Sequence, residues 1–219
     1  MQVTLRFGLT IVVTIISFST DSSLLKGQIV NPTPDWSYYG GDIFFNRYAP
    51  LDQIDAHNVS DLEVIWRRPG LDPSYMVEQP SLDPSSYLRS TPIFVDGVLF
   101  APNAVGLVEA FDPASGKTLW VQQPFEKSLD EVRGRSNRGV QVWKNGNDRR
   151  LILAREPYLY SLDPESGAPI SDFGNSGRVL LSPEGSERFR WSFSPIVVGD
   201  VIVVAGIIGS AGDSGDIKE

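Results

Sequence analysis

The sequence has no cysteine, and it has one histidine and two methionines among its 219 residues. Without cysteine, disulfide bonds, zinc–thiolate sites, cysteine nucleophiles and haem attachment through a C-x-x-C-H motif are excluded. This absence also suits an oxidising compartment, where a free thiol is a liability. The single histidine, His57, lies in a polar connection, and we interpret it as a surface residue.

Positive charge is scarce as well. The 19 lysines and arginines are outnumbered by 27 aspartates and glutamates, so the formal net charge is -8. Binding to nucleic acid requires cationic side chains that neutralise phosphates, and an acidic chain is poorly suited to it. We therefore expect no nucleic-acid partner.

Long apolar runs are absent beyond the N-terminus. The run Phe7–Phe18 (FGLTIVVTIISF) follows a single arginine and precedes the small residues of Ser19–Ser23. About a dozen residues are too few for a membrane span of roughly 20, and the pattern is typical of a signal peptide. We predict a signal peptide over 1–23, a linker over 24–34 and a periplasmic or secreted domain over 35–219. An uncleaved leader that anchors the chain to the inner membrane is the alternative.

A repeated motif dominates the rest of the chain. The segment LVEAFDPASGKTLW at 107–120 returns as LYSLDPESGAPI at 159–170, with its aspartate displaced by 51 positions. TPIFVDGVLF at 91–100 returns as SPIVVGDVIV at 194–203, about two such periods later. A period of this size is typical of stacked units such as propeller blades. The part that follows the leader has room for three to four blades, so we expect an incomplete ring.

Turn signals separate short apolar strands throughout this part. Asp96-Gly97, Asn145-Gly146 and Gly199-Asp200 each lie between two such strands, as in β-hairpins. In Asp-Pro-x-Ser-Gly, proline fixes φ and glycine accepts a left-handed conformation, which predicts a tight turn. Trp120 closes the first copy, at the position where a blade packs against its neighbour. We predict an all-β propeller, with long loops over 69–86 and 125–136.

Several motifs together resemble a known family. They are DWSYYGG at 35–41, RYAPLDQI at 47–54, NVSDLEVIW at 58–66, FDPASGKTLW at 111–120, NRGV at 137–140 and DFGNSGRV at 172–179. In this combination the chain resembles the N-terminal portion of the PQQ-dependent (quinoprotein) glucose and alcohol dehydrogenases, which are eight-bladed propellers. The alcohol branch carries a cysteine pair just before Asn-Arg-Gly. This chain has Val132-Arg133 there, so it is more similar to the sugar-oxidising branch.

The resemblance implies oxidation of a sugar, polyol or alcohol by hydride transfer to the quinone PQQ, with Ca²⁺ or Mg²⁺ as a second cofactor. Quinone or a cytochrome would accept the electrons. The family's catalytic aspartate and most of its metal ligands come from later blades. No catalytic residue is therefore assigned within this chain, and we expect residues 1–219 by themselves to be inactive.

The resemblance also implies four site residues. Arg138 of Asn-Arg-Gly matches an arginine that pairs with a PQQ carboxylate, and a guanidinium suits that task. Ser192 matches a hydroxyl that binds PQQ. Arg89 stands where many relatives have a cofactor-binding glutamate, so either it contacts PQQ directly or the contact is lost. Asp213 is the candidate metal ligand, with Asp216 as its alternative.

Each assignment has a structural alternative. Arg138 could brace a loop, Ser192 could be an ordinary strand-edge serine, and Asp213 could be a solvated loop residue. For the whole chain, the main alternative is a non-catalytic periplasmic propeller scaffold with PQQ-like repeats. A third interpretation, a secreted polysaccharide-binding propeller, rests only on the aromatic side chains of 36–39.

Overall fold

The computed structural model describes residues 35–42, 44–125, 138–155, 157–181, 189–191 and 193–208, with the backbone alone for 189–191 and 207–208. Within these ranges the chain is built almost entirely of antiparallel strands, in two four-stranded and two two-stranded sheets. These sheets form part of a propeller and do not close a ring, as the sequence predicted. The predicted signal peptide over 1–23 and linker over 24–34 lie outside the described residues.

The first four-stranded sheet has the simple up-and-down order of a propeller blade. Its strands are β1 Ile93–Val95, β2 Val98–Pro102, β3 Val108–Phe111 and β4 Thr118–Val121, each antiparallel to the next. Asp96 and Gly97 both have positive φ, 51° and 82°. A two-residue turn with two left-handed residues matches the twist of the strands, so this hairpin forms where it was predicted.

The second four-stranded sheet repeats this order, and two short pairs follow it. Its strands are β5 Gln141–Asn145, β6 Asp148–Arg155, β7 Tyr158–Leu162 and β8 Arg178–Leu180. Beyond it, β10 Ile196–Val198 pairs with β11 Val201–Val203, and β9 Phe189–Trp191 pairs with β12 Gly206–Ile208. The predicted hairpins at Asn145-Gly146 and Gly199-Asp200 are thereby confirmed.

The main core lies between the two four-stranded sheets. Apolar side chains of both sheets are buried there: Ile93, Val95, Phe100, Val108, Ala110, Val140, Val142, Leu151, Leu153, Tyr160 and Leu162. Fully burying a side chain of this kind stabilises the fold by about 1.5–3 kcal/mol. Because each sheet supplies about half of the set, neither blade buries its apolar face alone.

A tryptophan of each repeat docks on the turn of the next repeat. Trp120 Nε1 donates to the carbonyl oxygen of Pro164 at 3.2 Å, and its ring leaves no room for a Cβ on Gly167. Trp66 makes the same contact one repeat earlier, with Nε1 2.9 Å from the carbonyl oxygen of Pro113. The predicted packing role of Trp120 is therefore confirmed, and Asp-Pro-x-Ser-Gly is the receiving surface.

The predicted loop over 69–86 contains one short helix, α1 Pro73–Glu78. Asp72 caps it by accepting a hydrogen bond from the Ser74 amide at 2.9 Å, and Pro73 occupies the first helical position. The flanking residues Leu71 and Leu82 are buried, which holds the segment against the first sheet. Neither α1 nor the 3₁₀ turn Val59–Asp61 is long enough to cross a membrane, and the described residues contain no other helix.

Candidate functional site

The starting ends of three sheets converge on one place. Thr91, Gly139 and Ser194 each lie two residues before the first strand of their sheet. The Thr91 amide donates to the carbonyl oxygen of Arg138 at 3.0 Å. A Cβ on Gly139 would lie 3.3 Å from Ser194 Oγ and 3.6 Å from the Thr91 carbonyl oxygen. This close approach places Arg138 at the point where the three strand ends meet.

The segment 35–41 crosses the exposed edges of the first two sheets. Trp36 pairs with Phe94 of β1 through two backbone hydrogen bonds of 2.7 and 3.0 Å. Gln141 Nε2, at the start of β5, donates to the Ser37 carbonyl oxygen at 3.0 Å. The segment is therefore held to both blades, and its next residues, Tyr38 and Tyr39, lie beside Arg138.

These elements enclose a cavity of about 400 Å³, which we call the Arg138 cavity. Its lining residues are Tyr38, Tyr39, Phe45, Arg47, Arg138, Gln141, Phe193, Ser194, Pro195, Ile196, Val203 and Ala205. The volume lies within the range of small-molecule sites, and a mainly apolar wall with a few polar groups is typical of them. The described lining residues supply four aromatic rings, two guanidinium groups and no carboxylate, so the cavity suits a flat, acidic ligand.

Arg138 has the features of an anion-binding group. Its side chain is half-buried, with Cζ 5.1 Å from the centre of the Phe193 ring. Its Nε is buried and has no hydrogen-bond partner among the described residues. Leaving a buried donor unsatisfied costs about 1–3 kcal/mol. An anionic acceptor in the cavity would remove that cost, so the residues present fit PQQ, a planar quinone with three carboxylates.

The other predicted site residues do not join Arg138 in the part of the chain that the structure describes. Arg89 is exposed, with Cζ 5.1 Å from the centre of the Tyr87 ring, and it does not line the Arg138 cavity. Ser192 and Asp213, like Asp216, lie outside the described residues. Across the described ranges no group of three acidic or histidine side chains could hold a metal ion, so the metal site stays a prediction.

The positions of His57 and Ser194 bear on the predictions made from the sequence. His57 has a side chain that is 95% exposed, beside Asp55, as expected of a surface residue. Ser194, two residues after the undescribed Ser192, lines the cavity. Its equivalence to Thr91 was visible in the repeat of Thr-Pro-Ile as Ser-Pro-Ile, and both residues meet at Gly139.

Most of the cavity wall was not assigned from the sequence. Tyr38, Tyr39 and Arg47 belong to motifs that carry the family resemblance, but no pattern in those motifs indicates which side chains share a cavity. Phe193 has no sequence signal of its own. It lies beside Arg138 because the residues before β10 pack against the residues before β5, at Ser194 and Gly139.

The turn that carries Phe45 and Arg47 is organised by Asp42. Asp42 Oδ1 accepts hydrogen bonds from the amides of Phe44 (2.9 Å) and Asn46 (3.1 Å), and Oδ2 accepts one from Asn46 Nδ2 (2.6 Å). The hydrogen bond from the Asn46 amide is the main cause that holds the pKa of Asp42 below its usual value of 3.8, and the bond from the Asn46 side chain is the second. Since hydrogen bonds to the ionised form favour it, the carboxylate stays charged and the turn keeps its shape at neutral pH.

Comparison with known proteins gives three relevant similarities. The chain is 32% identical over 145 residues to a quinohemoprotein alcohol dehydrogenase of Comamonas testosteroni, covering 63% of this chain and 18% of that protein. It is 25% identical over 237 residues to quinoprotein glucose dehydrogenase A of Acinetobacter calcoaceticus, covering 92% and 29%. The crystal structure of the Comamonas enzyme matches the fold with a TM-score of 0.59 at 24% identity, over 80% of this chain and 23% of that one.

The chain thus spans less than a third of the length of each of these relatives, and they come from both the alcohol and the glucose branch. A family model described as the β-propeller domain of PQQ glucose/ethanol/alcohol dehydrogenases matches residues 36–218, which is most of the chain. The same residues supply the two blades, the docking tryptophans and the Arg138 cavity. The chain therefore belongs to the PQQ-dependent glucose/ethanol/alcohol dehydrogenase family of β-propellers.

Proposed function

We propose that this chain is the N-terminal part of a PQQ-dependent dehydrogenase that oxidises a sugar, polyol or alcohol. The observation that carries the proposal is Arg138, whose buried Nε has no partner among the described residues and which faces an aromatic cavity of about 400 Å³. A propeller that served only as a scaffold would have no need of a buried arginine nitrogen without a described partner at the meeting point of three sheets.

Arg138 would hold a PQQ carboxylate through charge-assisted hydrogen bonds, which are stronger than neutral ones. The Phe193 ring, with its centre 5.1 Å from the guanidinium carbon, makes a cation–π contact that favours this position of the arginine. Tyr38 and Tyr39 supply part of the apolar wall against which a flat ring system can lie. Bound PQQ would supply an ortho-quinone that accepts hydride, with a divalent cation to polarise its carbonyl.

The remaining parts of the proposal rest on the sequence. Ser192 is a candidate cofactor contact, and Asp213 is the candidate ligand of Ca²⁺ or Mg²⁺. The position of Arg89 outside the Arg138 cavity favours the alternative in which its cofactor contact is lost. Electrons would pass to quinone or a cytochrome. The apolar leader supports export, so we place the protein in the periplasm or outside the cell, with the inner-membrane anchor as the alternative for an uncleaved leader.

The test is PQQ binding by the product of the complete reading frame, measured by quenching of tryptophan fluorescence. Losing a hydrogen bond to a charged group costs about 1.5–3 kcal/mol. Arg138→Gln should therefore weaken PQQ binding by about 10- to 100-fold. Arg67→Gln is the matched control, because Arg67 is exposed and does not line the cavity.

Three results would separate the interpretations. Weaker binding in Arg138→Gln alone, with an unchanged melting temperature, supports the proposal. Equal PQQ affinity in both variants would contradict the role of Arg138. A wild-type protein that does not bind PQQ at all would contradict the proposed function and favour the scaffold.

A further inference from the structure

The Arg138 cavity contains a second cation, Arg47, that the family motifs did not assign to any task. Arg47 lines the same cavity as Arg138, at its exposed rim. Among the described residues neither guanidinium forms an ion pair, although four other lysine and arginine side chains do, namely those of Arg68, Lys144, Arg149 and Arg150. Among the described lining residues there is no carboxylate, so the two positive charges face one space without a counter-charge from this part of the chain.

The backbone that presents Arg47 is held in an unusual conformation. Phe45 and Arg47 have φ of 58° and 52°, a left-handed region that bulky residues seldom occupy. Phe45 and Arg47 both line the cavity. Phe44, the residue before Phe45, does not line it and is 77% exposed. Strained residues of this kind persist where the surroundings impose them, and they cluster at binding sites.

The surroundings of the turn impose this conformation by three routes. The Asp42 carboxylate accepts hydrogen bonds from Phe44 and Asn46, and the Arg47 amide donates to the Gly40 carbonyl oxygen at 3.0 Å. The Tyr39 ring packs against the Phe45 ring, with centroids 6.0 Å apart. Asp42 accepts these hydrogen bonds from backbone and amide groups, and among the described residues it forms no ion pair with Arg47.

We propose that Arg47 is a second anion-binding residue of the Arg138 cavity, so that the cavity takes a flat ligand through two separate carboxylates. This inference rests on the proposed function and deepens it, since PQQ carries three carboxylates on one rigid ring system. Two guanidinium groups in one cavity repel each other when it is empty, and a polyanionic ligand removes that repulsion. The Asp42 turn is then the element that positions the second cation.

The experiment compares two probes on the product of the complete reading frame. PQQ and its trimethyl ester share one ring system, but the ester carries no carboxylate charge. Affinities are measured by fluorescence quenching for wild type, Arg47→Gln, Arg47→Lys and the exposed control Arg67→Gln. Arg47→Gln should bind PQQ about fivefold less tightly. The Lys variant should lose less, and the ester should bind all four proteins alike.

The outcomes distinguish this inference from the proposed function. If Arg138→Gln weakens PQQ binding and Arg47→Gln does not, Arg47 is a solvated residue and only the inference fails. If Arg47→Gln weakens PQQ and its ester equally, its effect is on the cavity wall and the inference also fails. If wild type binds neither probe, the proposed function fails with it. A melting curve for each variant shows whether it is folded, and Arg47→Lys keeps the test decisive should Arg47→Gln not fold.

Discussion

At the scale of single residues, the site depends on Arg138, whose buried Nε finds no hydrogen-bond partner among the described residues. The Nε atom is buried, and Arg138 Cζ lies 5.1 Å from the centre of the Phe193 ring. A buried polar group without a partner is destabilising. Such a group is retained when a ligand completes it, which is the physical reason to locate the cofactor here.

The variant Gly40→Ala tests whether the shape of the cavity wall determines the affinity for PQQ. A Cβ at this buried position would lie 2.5 Å from Phe45 Cδ1 and 3.0 Å from Phe45 Cα, so the wall must move. Phe45 is 43% exposed and can yield. We expect Gly40→Ala to lower the free energy of unfolding by about 1 kcal/mol, at the mild end of overpacking effects. PQQ affinity should fall by about tenfold, an order-of-magnitude expectation for a displaced wall.

Gly70→Ala is the control for this change. A Cβ there would make an ordinary contact of 3.4 Å with a Leu88 methyl group, and Gly70 does not line the Arg138 cavity. Urea titration and fluorescence quenching measure stability and affinity on the same samples. Equal PQQ affinity in Gly40→Ala and wild type would show that Phe45 does not shape the bound state.

At the scale of elements, the turn Asp-Pro-x-Ser-Gly joins one blade to the next. Its aspartate organises the turn: Asp112 Oδ1 accepts from the Ser115 amide at 2.7 Å, and Asp163 Oδ1 accepts from the Ser166 amide at 2.9 Å. Its glycine then receives the tryptophan of the preceding repeat. The turn therefore has a packing role in addition to reversing the chain.

Gly167→Ala should be far more destabilising than Gly146→Ala. Both glycines have left-handed φ, 71° and 59°, so both variants incur the same backbone strain of about 1–2 kcal/mol. Only at Gly167 would the added Cβ meet Trp120, 2.5 Å from its ring, whereas nothing lies within 4 Å at Gly146. Overpacking adds about 1–3 kcal/mol, and urea unfolding measures the difference. Equal losses would mean that Trp120 docking contributes nothing to blade packing.

At the scale of the whole molecule, the chain should lose stability in acid. Hydrogen bonds hold the pKa of five of the described aspartates below the usual 3.8: Asp42, Asp72, Asp96, Asp112 and Asp148. A carboxyl whose folded pKa lies below its unfolded pKa stabilises the fold above the unfolded value, and this contribution is lost as pH falls through the folded value. We expect a constant urea midpoint from pH 5 to 7 and a falling one below about pH 4.

Asp96→Asn is the informative variant for this pH dependence. The hydrogen bond from Lys144 Nζ, 3.1 Å from Asp96 Oδ1, is the main cause of the lowered pKa of Asp96. Asparagine tolerates the left-handed φ of 51° at this position, so the turn is preserved. The variant should show a shallower loss below pH 4 than wild type. An identical acid limb in the two proteins would contradict the assignment for Asp96.

The sequence by itself determined the fold class and the family. Hairpin turns, the repeated Asp-Pro-x-Ser-Gly motif and Trp120 predicted their elements because each depends on local chemistry: left-handed turn residues, proline and alternating apolar positions. Asn-Arg-Gly likewise identified Arg138 as the candidate cofactor contact. The short helix α1 lay within sequence reach through its Asp72 cap and Pro73, but six residues show no apolar periodicity to distinguish them from a loop.

Only the tertiary structure decided which residues share the site. Tyr38, Arg47 and Phe193 line one cavity with Arg138, although up to 155 positions separate them in the chain. Such contacts depend on how the strand ends of separate blades pack at Gly139, and no local pattern encodes that packing. Arg89 lies only two positions before Thr91, but it does not line the cavity. Its guanidinium group instead lies against the Tyr87 ring. Turns and strands depend on residues that are close in the sequence, whereas the cavity forms only where separate blades pack together.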